Sequence, residues 1–163
     1  MKLSLTNLAL IAALSLPTTL FAQGSEGRRL AALAFSAIDL SDRGYIDQGE
    51  YSNFGDDVFI SMDANDNGKL SLAEFLSWDY GMRPLAEEVG REAAYETALR
   101  VVFAFWDRNG DSQISKTEHR LSLDVDFRRA DGNHDATLTE EEFVTGFSVM
   151  VALRAAISPV PAE

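Results

Sequence analysis

Cysteine is absent from the 163-residue chain, so no disulfide can brace it. Histidine occurs twice and methionine four times, and no nucleophile–base arrangement is in view; an enzyme is not expected. Basic charge is scarce too: 14 Lys and Arg stand against 26 Asp and Glu, a net −12. Such a chain repels nucleic acid and anionic lipid and attracts cations. The pairs Arg28–Arg29 and Arg128–Arg129 are too small to reverse that and read as solvated helix faces. None of Asn65, Asn67, Asn109 and Asn133 has Ser or Thr two places on, so none is a glycosylation acceptor.

Long apolar runs are also rare. FVTGFSVMVAL (143–153) is too short to span a bilayer, which takes about 20 residues. The exception is the start. Lys2 precedes the apolar run LSLTNLALIAALSL, Pro17 follows, and LFA leads to Gln23, as in a secretory signal peptide cut after Ala22. Residues 1–22 hold one Lys and no acid, so the mature chain keeps 26 acidic but 13 basic residues and its net charge falls from −12 to −13. The expected location is periplasmic or secreted, with no stable membrane anchor after cleavage.

What the chain has in abundance is a repeat. Four twelve-residue windows align: Asp39–Glu50 (DLSDRGYIDQGE), Asp63–Glu74 (DANDNGKLSLAE), Asp107–Glu118 (DRNGDSQISKTE) and Asp131–Glu142 (DGNHDATLTEEE). They are called loops 1 to 4 below. Loops 1 and 2 start 24 residues apart, as do loops 3 and 4. Phe35, Phe59, Phe103 and Phe127 stand four places before each loop, and Ile38, Met62, Trp106 and Ala130 one place before, on one face of an incoming helix. The eighth position is Ile46, Leu70, Ile114 or Leu138, suited to packing between two loops joined by a short backbone bridge. Tyr51, Phe75, His119 and Phe143 open the outgoing helices. His119 reads as surface or half-buried packing, and His134, at the fourth loop position, as a solvated side chain.

Calcium is a hard cation that takes six to eight oxygens at about 2.3–2.6 Å. A loop of this length supplies them from positions 1, 3, 5, 7 (a backbone carbonyl), 9 and 12, the last a bidentate Glu. Loop 2 matches throughout with Asp63, Asn65, Asn67, the Lys69 carbonyl, Ser71 and Glu74, and Gly68 at the turn. Loop 3 offers Asp107, Asn109, Asp111, the Gln113 carbonyl, Ser115 and Glu118; loop 4 offers Asp131, Asn133, Asp135, the Thr137 carbonyl, Thr139 and Glu142. Both have a third carboxylate, but Ser112 and Ala136 replace the turn glycine, where a left-handed backbone costs about 1–2 kcal/mol. Loop 1 keeps Asp39, Ser41, Gly44, Asp47 and Glu50, with Arg43 at a ligand position. Arg does not shed its proton. Either loop 1 is kept for shape, which its charge count favours, or the Arg43 stem swings out and water completes a weak site.

These loops and their flanking aromatics resemble the EF-hand family over nearly all of residues 28–150, and the close spacing is similar to short-spaced, secreted bacterial EF-hand proteins. The resemblance implies an all-α fold of helix–loop–helix repeats in two paired lobes, 23–83 and 84–163. Loop 1 would then pair with loop 2, and loop 3 with loop 4. Twelve residues separate the loops of each pair. A straight helix over 48–62 would hold its ends some 20 Å apart and keep them from touching. Breaks are therefore expected at Asn53–Phe54–Gly55–Asp56 and Ser122–Leu123–Asp124. Gly81 and Pro84 mark a stop and a start, and Leu85–Trp106 reads as one long helix with Leu99, Val102, Phe103 and Trp106 packed inward.

Three calcium ions per chain are expected. Without them the clustered carboxylates repel, by roughly 4 kcal/mol for a pair at 4 Å in an effective dielectric of 20. Two functions compete. The first is calcium binding for buffering or metal-dependent stability. The second is a sensor that opens an apolar groove to an unidentified protein partner. Sensor grooves favour methionine, and the mature chain has only Met62, Met82 and Met150, which tilts the reading to the first.

Overall fold

The structure is a computed structural model and describes residues 19–158. Most of the expected signal peptide, residues 1–18, lies outside the described residues; Thr19–Ala22 begin the first helix. Eight helices are described: α1 (Thr19–Ile38), α2 (Gln48–Met62), α3 (Leu72–Ser77), α4 (Arg83–Glu88), α5 (Glu92–Trp106), α6 (Lys116–Ala130), α7 (Glu140–Gly146) and α8 (Ser148–Ile157). Three-residue strands lie in the loops: β1 (Tyr45–Asp47), β2 (Lys69–Ser71), β3 (Gln113–Ser115) and β4 (Thr137–Thr139). The chain is all-α in class, and among the described residues no helix is long and apolar enough to cross a membrane.

The expected helix breaks do not occur. Both α2 and α6 run unbroken for 15 residues, about 22 Å each. The residues that read as breakers sit where the two helices cross. A Cβ on Gly55 would stand 2.1 Å from Leu123 Cδ1, so the absent side chain lets Leu123 lie against the α2 backbone. Around that point Tyr51 meets Phe127 edge-on with centroids 5.3 Å apart. The Arg120 guanidinium donates to both Asp56 oxygens at 2.9 and 2.5 Å, and Gln48 Nε2 donates to Asp124 at 3.0 Å. From Tyr51–Phe127 through Gly55–Leu123 to Asp56–Arg120 the contacts run in opposite directions along the two helices, which are therefore antiparallel.

Antiparallel shared helices of equal length decide which loops meet. The start of α2 lies by the end of α6, so loop 1 pairs with loop 4: Ile46 faces Leu138 between Tyr45–Thr139 and Asp47–Thr137. At the far end Leu70 faces Ile114, joining loop 2 to loop 3. The expected pairing of loop 1 with loop 2 and of loop 3 with loop 4 is corrected: the loops pair across the 83/84 division. One buried cluster takes in both halves. All four flanking phenylalanines are buried, and the four aliphatics at position 8 are fully so.

Two further expectations change. The Leu85–Trp106 helix is broken at Gly90, whose φ of +66° ends α4 and lets α5 start afresh. Leu99, Val102, Phe103 and Trp106 are buried on α5 as expected. His119 is 1% exposed, set edge-on to Phe59 and Trp106 at 5.3 Å from each; it is core, not surface.

Close approach recurs at Gly146, where a Cβ would fall 2.4 Å from Ala130 Cβ and 2.5 Å from its Cα. Backbone cannot yield as a leucine tip can. Gly146→Ala should therefore cost about 1–3 kcal/mol in urea unfolding. Gly55→Ala should cost less, because Leu123 can change rotamer and alanine favours the helix.

Burial pushes the His119 imidazole down to about 4, and its Nδ1 has no partner, so it is neutral in the native state. The unfolded chain protonates it below about pH 6.5. The native state then binds fewer protons, and stability falls as pH drops from 6.5 towards 4. At pH 5 the loss is about 2 kcal/mol. His119→Phe, measured in chelator, should flatten the fall in Tm between pH 7 and pH 5.

Candidate metal centres in the loops

In every loop the first Asp organises the turn. Asp63 Oδ1 accepts the Asn67 N–H at 3.0 Å and Oδ2 the Gly68 N–H at 2.7 Å. Asp107 does the same for Asp111 and Ser112 at 3.1 and 2.9 Å, and Asp131 for Asp135 and Ala136 at 3.1 and 3.0 Å. A second layer follows in loops 2 to 4. Asn65, Asn109 and Asn133 accept the N–H two places on at 3.1, 2.7 and 3.0 Å. Asn67, Asp111 and Asp135 accept that of position 7 at 2.8, 3.0 and 2.9 Å.

The far side of each loop is a capping box that opens the outgoing helix. Ser71, Ser115 and Thr139 accept the N–H of Glu74, Glu118 and Glu142, and each Glu accepts in return the N–H of its cap. The other Glu oxygen reaches across the loop. Glu74 Oε1 takes Asn65 Nδ2 at 2.7 Å, Glu118 Oε1 takes the Arg108 and Asn109 N–H at 3.1 Å, and Glu142 Oε1 takes the Gly132 N–H at 3.2 Å. Position 12 thus reaches position 2 or 3, or both, across each ring. Lys69, Gln113 and Thr137 begin the strands and bring their carbonyls to position 7.

Glu74, Glu118, Glu142 and Asp135 are held below the usual carboxylate range. The Ser71 N–H above all holds Glu74 below the usual range. Burial pushes Glu118 up, but the Ser115 N–H and hydroxyl together with the Asn109 and Arg108 N–H outweigh it. Glu142 is lowered chiefly by the Thr139 N–H, and Asp135 by the Thr137 hydroxyl. Asp63 and Glu74 are 9% exposed, and Glu118 and Asp131 7%. Among the described residues Asp63, Glu74, Glu118 and Asp131 are in no ion pair; the ion pairs around loops 2 to 4 are Lys69 with Asp111 at 3.5 Å, Lys116 with Asp56, and Arg28 with Glu141. Anions buried without a counter-charge fit a metal cation.

No three carboxylate or imidazole side chains gather at one point among the described residues. The donor mix explains this: each loop interleaves its carboxylates with Asn and hydroxyl groups, and each Glu is turned on its own cap.

Loop 1 differs. Asp39 still accepts the Arg43 and Gly44 N–H at 3.0 and 2.7 Å, and Asp47 and Glu50 form the capping box. Arg43, however, does not swing out. Its Nη2 donates to Asp47 at 2.6 Å and to Glu50 at 2.7 Å, Nη1 donates to Tyr45 Oη at 3.2 Å, and the guanidinium lies over the Tyr45 ring. The signal was in the sequence as opposite charges at 43, 47 and 50.

Position 6 is left-handed as expected, with φ of +77° at Gly44 and Gly68, +66° at Ser112 and +64° at Ala136. Position 4 is left-handed as well, at Asp42, Asp66, Gly110 and His134. Its sign was the Asp or Gly found there in three of the loops. His134 is exposed.

A family model described as EF hand matches residues 56–77. The matched stretch runs from the second half of α2 through loop 2 to the end of α3, and takes in the loop that departs nowhere from the ligand pattern. The all-α, helix–loop–helix architecture is consistent with that fold.

An alanine at φ +64° carries strain of about 1 kcal/mol that glycine does not. Ala136→Gly should raise stability in chelator by about that amount in urea unfolding, and Ser112→Gly similarly. A loss of stability would show that their side chains make contacts worth more than the strain.

Proposed function

We propose that this chain is an exported calcium-binding protein taking three Ca²⁺ through loops 2, 3 and 4, for buffering or for its own stability. The observation that carries the reading is threefold repetition of one arrangement: partly buried carboxylates hydrogen-bonded into a ring, with no side-chain counter-ion at positions 1 and 12 among the described residues. The ion would supply the missing positive charge. Asp63, Asp107 and Asp131 would hold it from the start of each loop, and Glu74, Glu118 and Glu142 from the end. Asn65, Asn67, Asn109, Asp111, Asn133 and Asp135 would complete the side-chain set. The carbonyls of Lys69, Gln113 and Thr137 would close the ring, with Ser71, Ser115 and Thr139 at position 9. Export, to the periplasm or beyond the cell, is supported by the charge and hydropathy of residues 1–22.

One observation favours the sensor reading. An apolar cavity of about 360 Å³ opens between the halves, lined by Leu30, Val58, Met62, Trp78, Leu123 and Met150 among others. Met82 is fully buried elsewhere in the core, so just two methionines serve this cavity. That is few for a surface that must adapt to partners, and the buffer reading is preferred.

Isothermal titration of the mature, chelator-stripped protein should give three calcium ions. Glu74→Gln, Glu118→Gln and Glu142→Gln should each weaken one binding step. Calcium at a hundred times its dissociation constant should add about 2.7 kcal/mol per independent site and raise Tm. A dye that brightens on apolar surface should stay dark when calcium is added; a bright signal would favour the sensor. No uptake at millimolar calcium would overturn the calcium reading.

A further inference from the structure

Among the described residues the carboxylates at positions 1 and 12 of loops 2 to 4 have no side-chain cation, whereas Glu50 at position 12 of loop 1 has one. In loop 1 the guanidinium of Arg43 bridges Asp47 and Glu50, while the N–H groups of Arg43 and Gly44 are held on Asp39. One residue at position 5 thereby ties positions 1, 9 and 12 of its own loop, the positions that a metal would otherwise draw together. The guanidinium is planar and permanently charged, and suits two carboxylates at once. Tyr45 supports it from the face and through its hydroxyl. Tyr45 and Asp47 are also the outer residues of β1, paired with Thr139 and Thr137 of loop 4.

We propose that Arg43 is a resident cation which closes loop 1 without metal and so presents loop 4 with a partner strand already formed. The affinity of loop 4 rests on the calcium reading above; the closure of loop 1 does not. The two ribbons then behave differently. Loops 2 and 3 each need an ion to neutralise them and are joined through Leu70 and Ile114, so their sites are coupled to each other. Loop 4 binds against a fixed neighbour as a single, separate site, and Arg43 sets its affinity from across the ribbon.

Amide exchange in chelator tests the closure in the unaltered protein. The Gly44 N–H should be as protected without calcium as with it, whereas the Gly68 N–H should gain protection when calcium is added. Both bond to the first Asp of their loop at 2.7 Å, so the comparison is between like groups. Arg43→Met removes the charge without adding an oxygen. It should abolish Gly44 protection in chelator, leave three calcium ions bound, and weaken the loop 4 step about fivefold or more. Arg43→Asp completes the ligand set and should raise the stoichiometry from three ions to four.

An unprotected Gly44 in chelator, or four ions on the unaltered protein, would overturn the proposal. So would three ions on Arg43→Asp. If the unaltered protein took up no calcium while Gly44 stayed protected, the calcium reading would fall and the closure by Arg43 would stand.

Discussion

Two fifteen-residue helices, α2 and α6, run antiparallel and touch where Leu123 lies in the space left by Gly55. Each leaves one loop and enters the next, so each belongs to two repeats at once. A rigid helix of about 22 Å keeps its two loops apart; its antiparallel neighbour brings a foreign loop to each end. The crossing therefore dictates both ribbons, and with them the placing of every candidate ligand. Aromatic contacts of Tyr51 with Phe127, and of His119 with Phe59 and Trp106, fill the space around it. The core that results includes residues from both halves of the chain.

That arrangement gives the two ends different electrostatic character. At one end, loops 2 and 3 face each other with buried carboxylates and one ion pair across the ribbon, Lys69 with Asp111. At the other, loop 4 faces a loop whose negative charge is met by Arg43. The hydrogen-bond rings are the same in kind at both ends, with backbone N–H groups converging on the first Asp of each loop. What differs is where the balancing charge comes from.

Much of this was legible because it is local. The Phe, aliphatic and Glu positions recur in step, and each was found buried or hydrogen-bonded as its place implied. The strained sixth position of loops 3 and 4 could be read from Ser112 and Ala136 alone. The errors share one cause. Gly55 and Ser122 were taken for breakers on helix propensity, whose cost of about 1 kcal/mol tertiary packing easily exceeds. His119 was placed near the surface because polarity was weighed without the rings that surround it. Arg43 was read as an intruder or a spectator, because the carboxylates that hold it lie four and seven places on.

Residue types and spacing alone determined the helix–loop–helix repeat, the acidic loops and the positions able to offer oxygen to a cation, since each depends on groups within a dozen residues. Which loops meet, and that the halves share a core, were decided only by tertiary structure. A glycine reads the same in sequence whether it ends a helix or admits a neighbouring leucine; the neighbour, 68 positions away, makes the difference.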